Sequence, residues 1–164
     1  MTDLDYTQHA ELSQRYKAGA NWFYWIAGLT IVTSVIALSG GGWRFFISLG
    51  TTQIIDALAD GLSTELGGVP KVVALILDLI VTGVFVMFGW LAGKKHLWAY
   101  ILGMVLFLFD GFVSLLFQDW IGAIAHAVVL FFMFRGFQAG RELLNLEKAM
   151  ADQAPEAVPQ PEPV

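Results

Sequence analysis

The chain contains no cysteine. That excludes disulfides, thiolate metal sites, iron–sulfur clusters and quinone-linked thiol chemistry, and it leaves the redox compartment open. Charge is scarce too. Only 14% of the 164 residues are Asp, Glu, Lys or Arg, against about 25% in a soluble domain, which is too few to coat a water-facing surface. The net charge of −5 comes mostly from the termini and one loop, so no nucleic-acid partner is expected. The first apolar run lacks a small-residue cleavage site and reads as a retained span, not a removed signal peptide.

Hydrophobicity is what remains. The chain is 57% hydrophobic and 14% aromatic, with a mean hydropathy of +0.65, a composition that points to an integral membrane protein. Four stretches approach the roughly 20 apolar residues that a helix needs to cross a bilayer: residues 21–40, 71–93, 97–118 and 120–139. Trp22, Trp25, Trp43, Trp90, Trp98 and Trp120 fall near their ends, as in an interfacial aromatic belt. The expected organisation is a cytoplasmic segment (1–20), a four-span membrane domain (21–139), a cytoplasmic helical extension (140–151) and a disordered Pro- and Glu-rich tail (152–164).

Cations set the expected orientation. Arg15 and Lys17 precede span one, Lys94 and Lys95 separate spans two and three, and Arg135, Arg141 and Lys148 close span four. The opposite side has Arg44 and Lys71 among the acidic residues of a longer loop, and the turn at Gln118 and Asp119 has no cation. The positive-inside rule places both termini in the cytoplasm, as an even number of spans requires. The expected fold is all-α: a four-transmembrane-helix up-down bundle in the inner (plasma) membrane.

The connection 41–70 is long and bounded by glycines. Within it Ile54, Ile55, Leu58 and Leu62 recur at helical spacing opposite Gln53, Asp56 and Asp60, and Thr51 or Thr52 is placed to cap the start. The spacing predicts an amphipathic helix in the outer loop. It lies on the membrane surface or, in a sharper reading, acts as a lid over the bundle's outer mouth through Gln53, Asp56 and Asp60. The acidic polar face, unusual at a membrane surface, favours packing against protein.

Asp78, Asp110 and His126 interrupt the apolar runs of spans two, three and four. Counted from the outer ends of their helices, they lie roughly 9–12 Å deep at about 1.5 Å per residue. Ser34 on span one falls at the same level. A charge in hydrocarbon costs roughly 2.5–3.5 kcal/mol on insertion scales, so such residues usually face a bundle interior and have partners. Spacing supports that direction: Asp78 shares a face with Ala74 and Thr82, Asp110 with Leu106 and Ser114, Ser34 with Thr30, and His126 with Gly122. Small and hydroxylated residues mark helix–helix contacts in membranes.

Such a layer has several uses. It holds helices together through one Asp–His pair and one Asp–hydroxyl contact, or relays protons, or binds a cationic ligand. Divalent-metal binding, with Gln53 and Asp56 completing the shell, is a weaker reading because no ligand-spaced motif such as H-E-x-x-H is present. No cofactor is expected: His126 and His96 lie near opposite faces, too far apart to sandwich a haem, and His9 belongs to a soluble N-terminal helix or arm. Gly89 with Gly93, and Gly136 with Gly140, form GxxxG pairs that hint at close packing or self-association. Arg135 is placed to snorkel to the cytoplasmic surface.

The segments WFYWIAGLTIVTSVIALSGG, TQIID, VALILDLIV, GMVLFLFDG and QDWIGAIAHA resemble a group of small bacterial four-span membrane proteins without an assigned activity. The resemblance covers residues from about 21 to 139, implies the same topology and transfers no catalytic residue. The cysteine-dependent thiol oxidoreductases fit poorly without cysteine. Small multidrug exporters are shorter, with an acidic residue early in span one. The expected function is a non-enzymatic accessory or scaffolding bundle. The alternative is a small proton- or cation-linked carrier or sensor using Asp78, Asp110 and His126. Expected partners are the lipid bilayer and either a second copy or a larger membrane protein.

Overall fold

Alternating apolar runs and short polar turns fold into five helices. The computed structural model describes residues 3–38 and 50–152, with helices α1 (Asp3–Leu38), α2 (Gly50–Leu66), α3 (Val69–Gly93), α4 (Leu97–Leu116) and α5 (Trp120–Asp152). No strand occurs among the described residues. All but α2 are long and apolar enough to cross a membrane.

Two turns are closed by the same device. Lys95 and Gln118 adopt left-handed φ values of 66° and 60°. At the first turn the His96 and Lys95 amides donate to the Leu91 and Ala92 carbonyls; at the second, Asp119 and Gln118 donate to Ser114 and Leu115. These are Schellman closures, which satisfy the last carbonyls of α3 and α4. Asp119 then accepts the Gly122 amide at 2.9 Å through Oδ1, capping the start of α5. At the α2–α3 junction Gly67 takes φ 69°, and Pro70 occupies the first turn of α3, where its missing N–H costs no hydrogen bond.

α1 packs on α3 and α5, α4 packs on α5 and α3, and α2 lies against α3 with smaller contacts to α4 and α1. The core is an aromatic ladder. Tyr16, Tyr100, Phe23, Phe85, Phe107 and His126 follow one another with ring centroids 5.7, 5.4, 6.4, 6.2 and 4.5 Å apart. Glycine allows the closest approach, where α1 meets α5. A Cβ on Gly19 would lie 2.7 Å from the Gly136 Cα, and the Tyr100 hydroxyl fills the same notch. Gly140 sits against Tyr16 and Leu97, and Gly89 against Phe23 and Tyr24, so these glycines serve packing within the chain; Gly93 has open space.

The outward faces carry exposed Ile76, Leu79 and Ile80 on α3, Phe109 and Phe112 on α4, and Ile121, Ile124 and Phe131 on α5. An apolar exterior this continuous would aggregate in water and suits hydrocarbon.

Several boundaries differ from the sequence reading. Residues 3–20 are helical and continuous with span one: α1 runs unbroken for 36 residues, about 54 Å against a hydrocarbon core of about 30 Å. Its first turns are held by burial of Leu12 and Tyr16 in one core with Ala139 and Leu143 of the α5 extension. α2 already includes Gly50, so Thr51 and Thr52 lie in its first turn and are not the cap. Its packing face is built from small residues. Thr52 and Ala59 are buried while Leu58 and Leu62 are exposed, because small residues allow close approach to α3 and the leucines turn away from the bundle. The side chains of Gln53, Asp56 and Asp60, residues 39–49 with Trp43 and Arg44, and the tail from 153 onward lie outside the described residues.

Candidate functional site: a layer of two buried pairs

Asp78, Asp110, His126 and Ser34 are all buried, at 2, 4, 2 and 5% exposure. Ala74 and Thr82, Ser114, Thr30 and Gly122 share the inward faces as their spacing requires. Leu106 does not. It is 40% exposed, and Phe107 takes the inward position beside Asp110 because helix rotation favours the larger aromatic contact surface.

These buried side chains form two pairs, each joining different helices. The Ser34 hydroxyl of α1 donates to Oδ2 of Asp78 on α3 at 2.7 Å. Across the bundle, Nε2 of His126 on α5 lies 3.0 Å from Oδ2 of Asp110 on α4. Thr30 and Thr33 satisfy their hydroxyls locally, donating to the Ile26 and Leu29 carbonyls at 2.9 Å. The Thr82 hydroxyl makes no hydrogen bond among the described residues.

The imidazole is oriented from three sides. Its Nδ1 lies 2.7 Å from the Gly122 carbonyl, which can only accept, so Nδ1 carries a proton. Its ring stacks on Phe107 at 4.5 Å and 23°. Its Cβ fits over Gly111, where an added Cβ would lie 3.1 Å away. With Nδ1 protonated, a single proton is shared between His126 Nε2 and Asp110 Oδ2. On nitrogen it makes an ion pair; on oxygen it makes a neutral acid donating to imidazole. Either arrangement leaves the pair without net charge, the condition for burying it in a low-dielectric interior.

A cleft of about 300 Å³ between α3 and α4 reaches this pair. Val81, Val84, Phe85, Leu106, Phe109 and Val113 line it, with Asp110 as the one ionisable group. Among the described residues no three His, Cys, Asp or Glu are grouped closely enough to hold a metal ion. A hard cation such as Ca2+ takes six or more oxygens, and among these lining residues Asp110 is the one that offers a carboxylate.

The remaining histidines lie elsewhere. His9 Nε2 lies 2.9 Å from Glu147 Oε1, and the same oxygen accepts from Lys95 Nζ at 2.5 Å. The cluster ties the first turns of α1 to the α5 extension and to the α3–α4 turn. Sequence reasoning missed this tie and the parts played by Gly122 and Phe107. The spacing of Gly122 and Phe107, four residues before His126 and three before Asp110, was the available signal.

No family model, curated protein or solved structure matches this chain in the comparisons made.

Proposed function

We propose that this chain is a non-enzymatic integral membrane protein of accessory or scaffolding type, whose polar layer specifies how its four spans assemble. One observation carries the reading: each ionisable group of the layer is paired within the bundle, and the two pairs stitch different helices, α1 to α3 and α4 to α5. A polar group without its partner is costly in hydrocarbon, so the pairs penalise helix rotations and registers that would separate them.

The spans run up-down-up-down in this proposal. Support comes from opposite ends meeting: Tyr16 early in α1 donates to the Ala92 carbonyl late in α3, while Ser34 late in α1 meets Asp78 early in α3. The clustering of Arg15, Lys17, Lys94, Lys95, Arg141 and Lys148 favours both termini in the cytoplasm of an inner membrane. α2 then sits on the outer side against α3. Because the chain lacks cysteine, single Lys95→Cys and Gln118→Cys variants read this directly. From outside intact cells, an impermeant maleimide should label the Gln118→Cys variant and leave the Lys95→Cys variant unlabelled.

The α3–α4 cleft ending at Asp110 favours a second reading, a proton-linked carrier or sensor. Proteoliposomes under an imposed potential separate the two. The scaffold reading expects proton flux no greater than in protein-free vesicles. Flux that disappears in Asp110→Asn or Asp78→Asn, with the folded protein retained, would overturn it in favour of the carrier.

A further inference from the structure

A second cleft, of about 360 Å³, opens between α1 and α5 at the end opposite the buried pairs. Its lining is amphipathic. Arg15 and Arg135 stand over it with Gln138 and Glu142, Ala18, Gly19, Gly136 and Ala139 form a floor of small residues, and Trp22 and Phe132 line the remaining wall. The two aromatic rings stack at 5.8 Å and 15°. Among the described residues Arg15 has a long contact to Glu11, 3.9 Å with both side chains 63% exposed, and Arg135 pairs with no carboxylate, its guanidinium lying 5.9 Å from the centroid of the Phe131 ring.

We propose that this cleft binds an anionic diacyl phospholipid, its phosphodiester held between Arg15 and Arg135. Depth selects a lipid. Taking Trp120 as one edge of the hydrocarbon, Arg135 lies about 22 Å along α5, roughly 8 Å short of the far boundary and within snorkelling reach of it. Tyr16 packs on Gly140, which puts Arg15 about 30 Å from Trp120, at the boundary itself. Arg15 at the boundary and Arg135 snorkelling towards it thus reach the phosphodiester level just outside the hydrocarbon, and planar N–H forks suit its paired oxygens. The Gly19–Gly136 contact keeps the floor low enough for a headgroup. Glu142 and Gln138 offer acceptors to headgroup hydroxyls, and an acyl chain continues along Trp22 and Phe132. This inference rests on the membrane-spanning placement and not on what the polar layer does.

Native mass spectrometry of the full chain in neutral detergent, titrated with phosphatidylglycerol, phosphatidylethanolamine or phosphatidylcholine, tests it. At about 1 kcal/mol per arginine, Arg15→Gln or Arg135→Gln should weaken phosphatidylglycerol retention about fivefold, and both together about thirtyfold. Ala18→Leu fills the cleft without changing charge and should also reduce retention. Lys17→Gln with Lys148→Gln removes the same charge outside the lining and should leave retention within about twofold if the cleft, not the general surface potential, binds the lipid. Equal retention of all three lipids would overturn the proposal, as would equal losses in the two double variants. Displacement of the lipid by inorganic phosphate at matched concentration would assign the arginines to a soluble anion, and so overturn it as well.

Discussion

Two carboxylates of this protein meet an imidazole at almost the same distance, at opposite ends of the bundle. Asp110 and His126 stand 3.0 Å apart with 4 and 2% of their side chains exposed; Glu147 and His9 stand 2.9 Å apart with 30 and 39% exposed. The medium makes them different. At the exposed pair, water competes for both partners, salt screens them, and Lys95 adds an ammonium on the same carboxylate. At the buried pair nothing replaces a lost partner, and Gly122, Gly111 and Phe107 hold the imidazole in one orientation. Distance alone therefore says little about what a contact is worth.

The sharpest way to break this contrast is to remove one partner at each end. His126→Ala or Asp110→Ala should destabilise the protein by about 3–5 kcal/mol, the cost of stranding a buried charge. Glu147→Ala should cost no more than about 1 kcal/mol. Detergent unfolding followed by tryptophan fluorescence measures both. Replacing the buried pair together, as Asp110→Leu with His126→Phe, should recover most of the loss, since well-packed apolar residues often substitute for an ion pair without penalty. Equal losses at the two ends would erase the distinction.

A second contrast sets hydroxyl against hydroxyl. Tyr16 donates to the Ala92 carbonyl, whereas the Tyr100 hydroxyl makes no hydrogen bond among the described residues. Tyr16→Phe should cost about 1 kcal/mol, and Tyr100→Phe should be neutral or slightly stabilising, because it removes a buried polar atom that gains nothing. The same unfolding assay reads both.

Acid supplies the mildest perturbation. Hydrogen bonds from Lys95 and His9 hold the Glu147 carboxyl below its ordinary value of 4.5. A carboxyl held low in the folded state stabilises it above the unfolded value and loses that contribution as pH falls through the folded one. The tie between α1 and the α5 extension should therefore loosen below about pH 4.5. Amide hydrogen exchange in the first turns of α1 should rise there, and Glu147→Gln should remove the pH dependence.

Much of the buried polar set was legible because helical period is a property of the chain. Asp78 with Ala74 and Thr82, and Ser34 with Thr30, share faces by spacing alone, and all five are buried. Leu106 misled because its face lies at the border of the buried arc, where a few degrees of helix rotation select Phe107 instead. On α2 the apolar stripe was legible but the contact face was not: Leu58 and Leu62 are exposed while Thr52 and Ala59 are buried, since small side chains allow close approach. The continuity of α1 was hidden by polarity, since residues 3–20 read as a separate soluble helix or arm until Leu12 and Tyr16 are seen in one core with Leu143.

Hydropathy and charge, which accumulate residue by residue, were enough to establish four membrane-length helices, and helical period was enough to turn Asp78, Asp110, His126 and Ser34 inward. Pairing was decided only in three dimensions. Whether Asp110 finds His126, or Asp78 finds Ser34, depends on how each helix is turned about its axis and which neighbour it faces. Contacts between residues 16 and 44 positions apart set that rotation, and no property of either residue's own surroundings in the chain encodes it.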